Sequence, residues 1–278
     1  MIKLYASDLD GTLFNGSHTT DDFVVETIQK IHESGATFSI ATGRDMHACR
    51  CLSLRLNELK GYIIAQNGAL IMTMDRKVLY KNPLDKEIVR LLFKTFPNAR
   101  FECTGFDTMY IRYDRDYYYN RLLKKGRYHV ETMEDVLQKT SDCVFGLRDE
   151  EILEKEILKI NLYLNSDEDA SIYDQFLEEY KDIVSNVSSE HNLYEFTMVN
   201  VNKASAIRKL MEILDIEEHE VAVFGDGGND VAMLEAFSNS DAPKEAMECA
   251  YKAAKFHLGS YKEHAVCKQI QSMLEAKE

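Results

Sequence analysis

Asp8 and Asp10 stand two residues apart in the run Asp8-Leu9-Asp10-Gly11-Thr12-Leu13, directly after the apolar stretch 2–6. Such a stretch predicts a buried strand, and residues two apart at its end project to the same side. One carboxylate can then attack an electrophile while the other handles a proton, and Gly11 lets the chain turn sharply out of the sheet. Asp-x-Asp-Gly also opens calcium loops of the EF-hand kind. Those loops need further oxygen ligands at alternate positions and a closing Glu, where this chain has Leu13 and Phe14. Taken alone, the motif leaves both readings open.

Three further segments carry chemistry at comparable places. Phe38-Ser39-Ile40-Ala41-Thr42-Gly43-Arg44 reads as a strand ending in a hydroxyl, a glycine and a guanidinium, groups that suit phosphate oxygens. Val221-Ala222-Val223-Phe224 is followed by Gly225-Asp226-Gly227-Gly228-Asn229-Asp230, an acidic, glycine-rich turn able to bring Asp226 and Asp230 to a hard cation. Lys203 opens a helical stretch, 204–214, and can neutralise a carboxylate or a phosphate at the strand ends.

The elements that must position these residues alternate between strand and helix. Phe23, Val24, Ile28 and Ile31 mark one face of a helix that Gly35 can close before a strand begins at Thr37. Repeated β-α-β units imply a parallel sheet with ligands at the C-terminal strand ends, which is where the four segments fall. The gap between Thr42 and Lys203 is far longer than one helix and its loops require, so it holds a second module. Asn82-Pro83 reads as the exit hinge and 85–96 as a helix closed by Pro97. Stretches 100–103, 109–113, 143–147 and 158–164 read as strands, 167–180 as a helix, and the return to the core falls near 194–199.

The 278 residues are 45% hydrophobic, enough for one large core or two moderate ones. The 33 Lys and Arg against 47 Asp and Glu give a net charge of −14, which repels nucleic-acid phosphates and anionic membranes. No apolar run approaches the ~20 residues of a membrane span, and no signal peptide precedes the first strand, so a cytoplasmic location is expected. The six cysteines are scattered in a pattern that fits reduced thiols. His47, His129 and His191 lie at no metal-ligand spacing, the tyrosines at 110, 113 and 117–119 read as packing groups, and 149–156 reads as a solvated helix face.

In their order and residue types the four segments resemble the signature motifs of the haloacid dehalogenase superfamily of phosphohydrolases, most closely its Cof-like branch. Gln66-Asn67-Gly68-Ala69 is similar to a further segment of that branch. The resemblance implies an α/β fold: a doubly wound parallel sheet formed by residues 1–82 and 195–278, with an α+β cap over 83–194 that governs substrate choice. It implies Mg2+ held by Asp8, Asp226 and the backbone carbonyl of Asp10. Asp8 would be the nucleophile, and Asp10 the general acid and then the general base. Lys203 would balance charge, Leu9, Thr42, Gly43, Arg44 and Asn229 would hold the phosphate, and Asp230 would support metal and lysine from behind.

The implied reaction is hydrolysis of a small phosphorylated metabolite, a sugar phosphate or phosphorylated cofactor, through an aspartyl-phosphate. The implied partners include no nucleic acid and no membrane, and the implied state is a monomer or homodimer. A phosphomutase, or a silent binding protein for phosphorylated metabolites, are the alternative readings. The chain departs from the branch at Ala204, where glycine is usual, at Asp241-Ala242, and over 257–265. A shift in substrate preference is the expected consequence.

Overall fold

The computed structural model describes residues 1–15, 20–50, 55, 58–125, 132, 134, 137, 140–164, 167–190 and 193–276. His129 and His191 lie outside the described residues. The strands, numbered in chain order, are β1 (Leu4–Ser7), β2 (Thr37–Ala41), β3 (Tyr62–Ala65), β4 (Leu70–Thr73), β5 (Val78–Lys81), β6 (Arg100–Thr104) and β7 (Met109–Ile111). They continue as β8 (Cys143–Val144), β9 (Lys159–Tyr163), β10 (Val184–Glu190), β11 (Leu193–Met198), β12 (Val221–Phe224), β13 (Asn239–Ala242) and β14 (Phe256–His257). The chain divides into two compact units, one of Met1–Gly43, Leu52–Lys81 and Val201–Glu278, the other of Arg44–Cys51 and Asn82–Asn200.

The first unit is built on an eight-stranded sheet in the order β14-β13-β12-β1-β2-β3-β4-β5. Strands β14 to β3 are parallel, and β3, β4 and β5 pair antiparallel. The α/β class expected from the sequence holds, but the sheet is mixed. The turn Gln66–Gly68 between β3 and β4 is far too short for the crossover that a parallel connection requires, so the chain can only double back. Leu4 and Ala6 of β1 and Val221 and Val223 of β12 face a cluster with Ile207, Leu210 and Leu234 from the helices Lys203–Leu214 and Val231–Ala236. By alternation Tyr5 and Phe224 face the other side. There the helix Asp22–Glu33, capped by Asp21 accepting from the Val24 amide, packs against β2 and the helix Ala265–Glu275.

A carboxylate interrupts the apolar pattern on β13. Asp241 on β13 is fully buried, with Gln269 beside its carboxylate. Burial pushes its pKa up to about 6, against the opposing pull of Gln269 and His257. In the unfolded chain the group titrates near ~4, so the folded state holds its proton more tightly. The stability tied to this proton is complete below pH ~4 and is lost as the pH rises through about 6, by ~3 kcal/mol in all. Asp241→Asn is expected to flatten that fall, so urea midpoints of variant and parent should diverge between pH ~4 and about 6, the span of the shift, with the variant more stable at the upper end. A gap that does not change with pH would refute the assignment.

The second unit carries a six-stranded sheet in the order β10-β11-β9-β6-β7-β8, antiparallel except for the β7–β8 pair. Phe101, Ile160, Leu162 and Phe196 pack on one face with Val89 and Leu92 of the helix Lys86–Thr95 and Phe176 of the helix Asp167–Tyr180. Tyr118 and Tyr119 are buried with Met109 and Ile111, while Tyr117 is exposed. The boundary expected at 194/195 moves to Asn200, because β11 is zipped between β9 and β10 and belongs to this sheet. The segment Arg44–Cys51, assigned to the core by sequence, also groups with the second unit. Among the described residues no helix is long and apolar enough to cross a membrane, and no disulfide links the described cysteines.

Candidate active site

β1 lies between β12 and β2, so the residue after it emerges at the middle of the parallel strand ends. That residue is Asp8, whose amide donates to the Phe224 carbonyl at 2.9 Å and whose carbonyl accepts from Ser7 Oγ at 2.8 Å. The chain then leaves the sheet through Gly11 at φ +74. A Cβ on Gly11 would fall 2.3 Å from Asp226 Oδ2, so only glycine permits both the turn and the close approach of this loop to Asp226. Thr12 Oγ1 donates to Asp226 Oδ1 at 2.7 Å and fixes the other oxygen.

Asp226 is the second residue after β12, and its carbonyl accepts from the Met247 amide at 2.8 Å. Asp230 closes the turn between them: its Oδ2 accepts from the amides of Gly227 at 2.8 Å and Asp226 at 3.0 Å. Lys203 is the first residue of its helix. Asn202 caps that helix by accepting from the Ser205 amide at 2.9 Å, while Ser205 Oγ accepts from the Asn202 amide at 3.1 Å. Gly68, at φ +107, packs against the Asn202 carbonyl, where a Cβ would approach to 2.4 Å. Lys203 Nζ, fully buried, then donates to Asp8 Oδ1 and Asp230 Oδ1, both at 2.6 Å.

The second segment joins through the turn after β3. Thr42 donates its amide to Ile64 O at 2.8 Å and accepts at its carbonyl from the Asn67 amide at 3.2 Å. Asn67 Oδ1 in turn accepts from Asn229 Nδ2 at 3.1 Å. A Cβ on Gly43 would fall 2.7 Å from Asn67 Oδ1, so this backbone lies directly on the asparagine pair.

Three carboxylates, those of Asp8, Asp226 and Asp230, each place an oxygen within 4.8 Å of the others. Burial pushes the Asp8 pKa up to about 8; Lys203 opposes the shift, and the charges of Asp230 and Asp226 add to it. Asp226 is pushed up to about 6, again by burial, with the Thr12 hydrogen bond opposing and the charges of Asp230 and Asp10 contributing. Burial alone would lower Lys203, but the carboxylates of Asp230 and Asp8 outweigh it and hold the ammonium well above its usual range. One ammonium among three buried carboxylates leaves an excess of negative charge. Both oxygens of Asp230 are engaged, by Lys203 and by two backbone amides, whereas these bonds leave one oxygen each on Asp8 and Asp226. An all-oxygen donor set with excess negative charge fits a hard divalent cation.

Of the residues singled out in the sequence, the structure brings together Asp8, Lys203, Asp226 and Asp230, and places Asp10 near enough to act on Asp226 by its charge. The Leu9 side chain is buried in the core, which leaves only its backbone facing the loop. Thr42, Gly43 and Asn229 meet at Asn67, whose side chain no sequence argument had assigned. Arg44, expected beside them, belongs to the segment that groups with the second unit. Thr12 also belongs to the site through Asp226, and a hydroxyl one residue after the Asp-Gly turn is its local signal.

A family model described as haloacid dehalogenase-like hydrolase matches residues 5–270. Among characterised relatives, the 5-amino-6-(5-phospho-D-ribitylamino)uracil phosphatase YbjI of Escherichia coli is 25% identical over 287 residues, covering 99% of this chain and 97% of its own. Among solved structures, a haloacid dehalogenase-like hydrolase from Bacillus subtilis superposes with a TM-score of 0.78 at 21% identity, covering 97% of this chain and 99% of that one. A sugar phosphatase of haloacid dehalogenase subclass IIB superposes with a TM-score of 0.74 at 20% identity, covering 98% of each.

Proposed function

The chain belongs to the haloacid dehalogenase-like hydrolase family, and from that premise we propose that it hydrolyses small phosphate monoesters through an aspartyl-phosphate formed on Asp8. The observation that carries the proposal is the buried Lys203 ammonium bridging Asp8 and Asp230 beside Asp226. Magnesium is the cation we assign to the site, held by Asp8, Asp226 and the carbonyl of Asp10; when bound it supplies charge neutralisation for an incoming phosphate.

Asp8 lies at a strand end with one carboxylate oxygen held by Lys203, and its carboxylate is assigned the in-line attack on phosphorus. Attack forms the Asp8 Oδ–P bond and breaks the P–O bond to the alcohol, and Asp10 gives its proton to the leaving oxygen. Asp10 then takes a proton from water, which attacks phosphorus, releases inorganic phosphate and regenerates the Asp8 carboxylate. Lys203 offsets the charge shared by carboxylate and phosphoryl group, while backbone amides of the Leu9 and Gly43 loops, with Thr42, hold the phosphate oxygens.

The second unit is assigned the substrate-selecting role. The names of the relatives, a ribitylamino-uracil phosphatase and a sugar phosphatase, support substrates in which the phosphate sits on a polar, hydroxylated carbon skeleton. The acidic chain is assigned to the cytoplasm, as a monomer or homodimer without nucleic-acid or membrane partners. The test is phosphate release from a panel of phosphorylated sugars and cofactors with magnesium and with chelator. Release that chelator suppresses and magnesium restores is expected. Release unaffected by chelator removes the metal, and stoichiometric phosphoryl transfer to a second sugar without release indicates a mutase.

A further inference from the structure

His264 precedes the helix Ala265–Glu275 and lies in the stretch 257–265 where the chain departs from the branch it resembles. Its φ is +57, in the left-handed region that favours glycine, so a histidine is held there at an energetic cost its surroundings must offset. The ring tilts against Phe23 with centroids 5.0 Å apart, and Nε2 lies 3.2 Å from Asp21 Oδ2. An ionised carboxylate only accepts, so Nε2 is the donor. Nδ1 is buried with no hydrogen-bond partner among the described residues. A strained backbone and an unpaired ring nitrogen make His264 a poor choice for stability; what its side chain gains is the bond to Asp21.

Asp21 joins three segments of the first unit. Its Oδ1 accepts from the Val24 amide at 3.1 Å and caps the helix Asp22–Glu33, which fixes the direction of Oδ2. Oδ2 accepts from His264 and from Asn15 Nδ2 at 2.5 Å. Asn15 is the second residue after the turn Leu9–Leu13 that contains Asp10. One carboxylate thus ties the exit of the Asp10 loop to the starts of two helices. The same corner supports the loop from the side, where the turn Tyr261–Glu263 and the helix Ala265–Glu275 both pack against Leu9–Leu13.

The loop needs anchors at both ends. Its entry is fixed by the Asp8 amide on the Phe224 carbonyl and its middle by Thr12 on Asp226. Gly11, beside Asp10, adds no Cβ to restrict the backbone, so the direction of Asp10 follows from where the flanking residues are held. We infer that Asp21 and His264 are positioning residues for Asp10, stapling the exit of its loop. In taking Asp10 as the general acid, the inference rests on the phosphatase reading above.

The test compares kcat/KM for benzyl phosphate, whose alkoxide must be protonated as it leaves, with that for p-nitrophenyl phosphate, whose phenolate leaves with little help. A displaced general acid lowers the first more than the second. His264→Leu is expected to lower the benzyl to p-nitrophenyl ratio by about tenfold, part of the roughly 100- to 10,000-fold that a placed general acid contributes. His264→Gln, which returns a donor to Asp21, should restore most of it. Asp21→Asn keeps an acceptor for the Val24 amide but turns an NH2 group toward Asn15 and His264, so its melting should stay near the parent's while the ratio falls. Hydrogen exchange of the Phe14 amide, which donates to the Leu9 carbonyl at 3.0 Å, reads the loop without turnover and should quicken about tenfold in His264→Leu while the Val223 amide of β12 does not change. Hydrolysis of both esters with a ratio unchanged in His264→Leu and Asp21→Asn overturns this inference alone, as do equal losses on both esters that His264→Gln leaves in place. Release of phosphate from neither ester by the parent overturns the phosphatase reading. Exchange at Phe14 then decides the staple: faster exchange in His264→Leu supports it, and unchanged exchange overturns it.

Discussion

Asp8→Asn is expected to abolish phosphate release, lowering kcat by about four to six orders of magnitude, the range seen when a nucleophile that works as part of a unit is removed. The amide cannot form the acyl-phosphate, and no neighbouring carboxylate can replace it. Asp230 is tied to Lys203 and to two backbone amides, and Asp226 is held by Thr12. The fold should be unharmed. Burial already disfavours the charged form of Asp8, with the charges of Asp230 and Asp226 adding to that penalty, so a neutral isostere relieves repulsion while Lys203 keeps Asp230. Thermal melting of the variant is expected to match or exceed that of the parent. A variant that retains turnover would remove Asp8 as the nucleophile; one that loses turnover and melts far lower would show that the loss is structural.

Lys203→Met is expected to be the most destabilising single change at the site, by about 3–5 kcal/mol. The ammonium is fully buried and donates to two carboxylates, so an apolar chain of similar length leaves Asp8 and Asp230 facing each other with no counter-charge. The two carboxylates then hold protons more avidly, and the variant should recover part of its stability as the pH is lowered and they neutralise. Urea titrations at neutral and mildly acidic pH check this, and equal losses at both would contradict it. Combining Lys203→Met with Asp230→Asn should restore stability without restoring turnover, since Lys203 also orients Asp8. Lys203→Arg should not rescue activity, because a planar guanidinium cannot occupy the position of a single nitrogen that bridges two oxygens.

What could be read from the chain were the features encoded within a few residues. Asp8 and Asp10 follow an apolar run, Asp226 and Asp230 bracket a glycine turn after another, and Lys203 starts a helix with its cap beside it. Strand and turn signals are local, so the β1, β2 and β12 ends were legible and with them the places of Asp8, Lys203 and the acidic turn. The excess length between Thr42 and Lys203 likewise showed that a second module exists.

The rest depended on which segments meet. The antiparallel edge of the first sheet follows from a turn that bends at Asn67 and Gly68, both at positive φ, and the second unit runs to Asn200 because β11 pairs with β9 and β10. Pairing energy is shared between strands, and no single strand announces its partner. The contacts of Asn67 with Asn229 and of Thr12 with Asp226 join residues distant in sequence, and an asparagine or threonine carries no pattern that names its partner. Which groups could do the chemistry was written in the chain, because residue type and strand-end position are local properties. That Asp230 uses both oxygens on Lys203 and its own turn, leaving Asp8 and Asp226 with an oxygen to offer, emerges on folding, because charge and hydrogen bonding in a buried site are set by every neighbour at once.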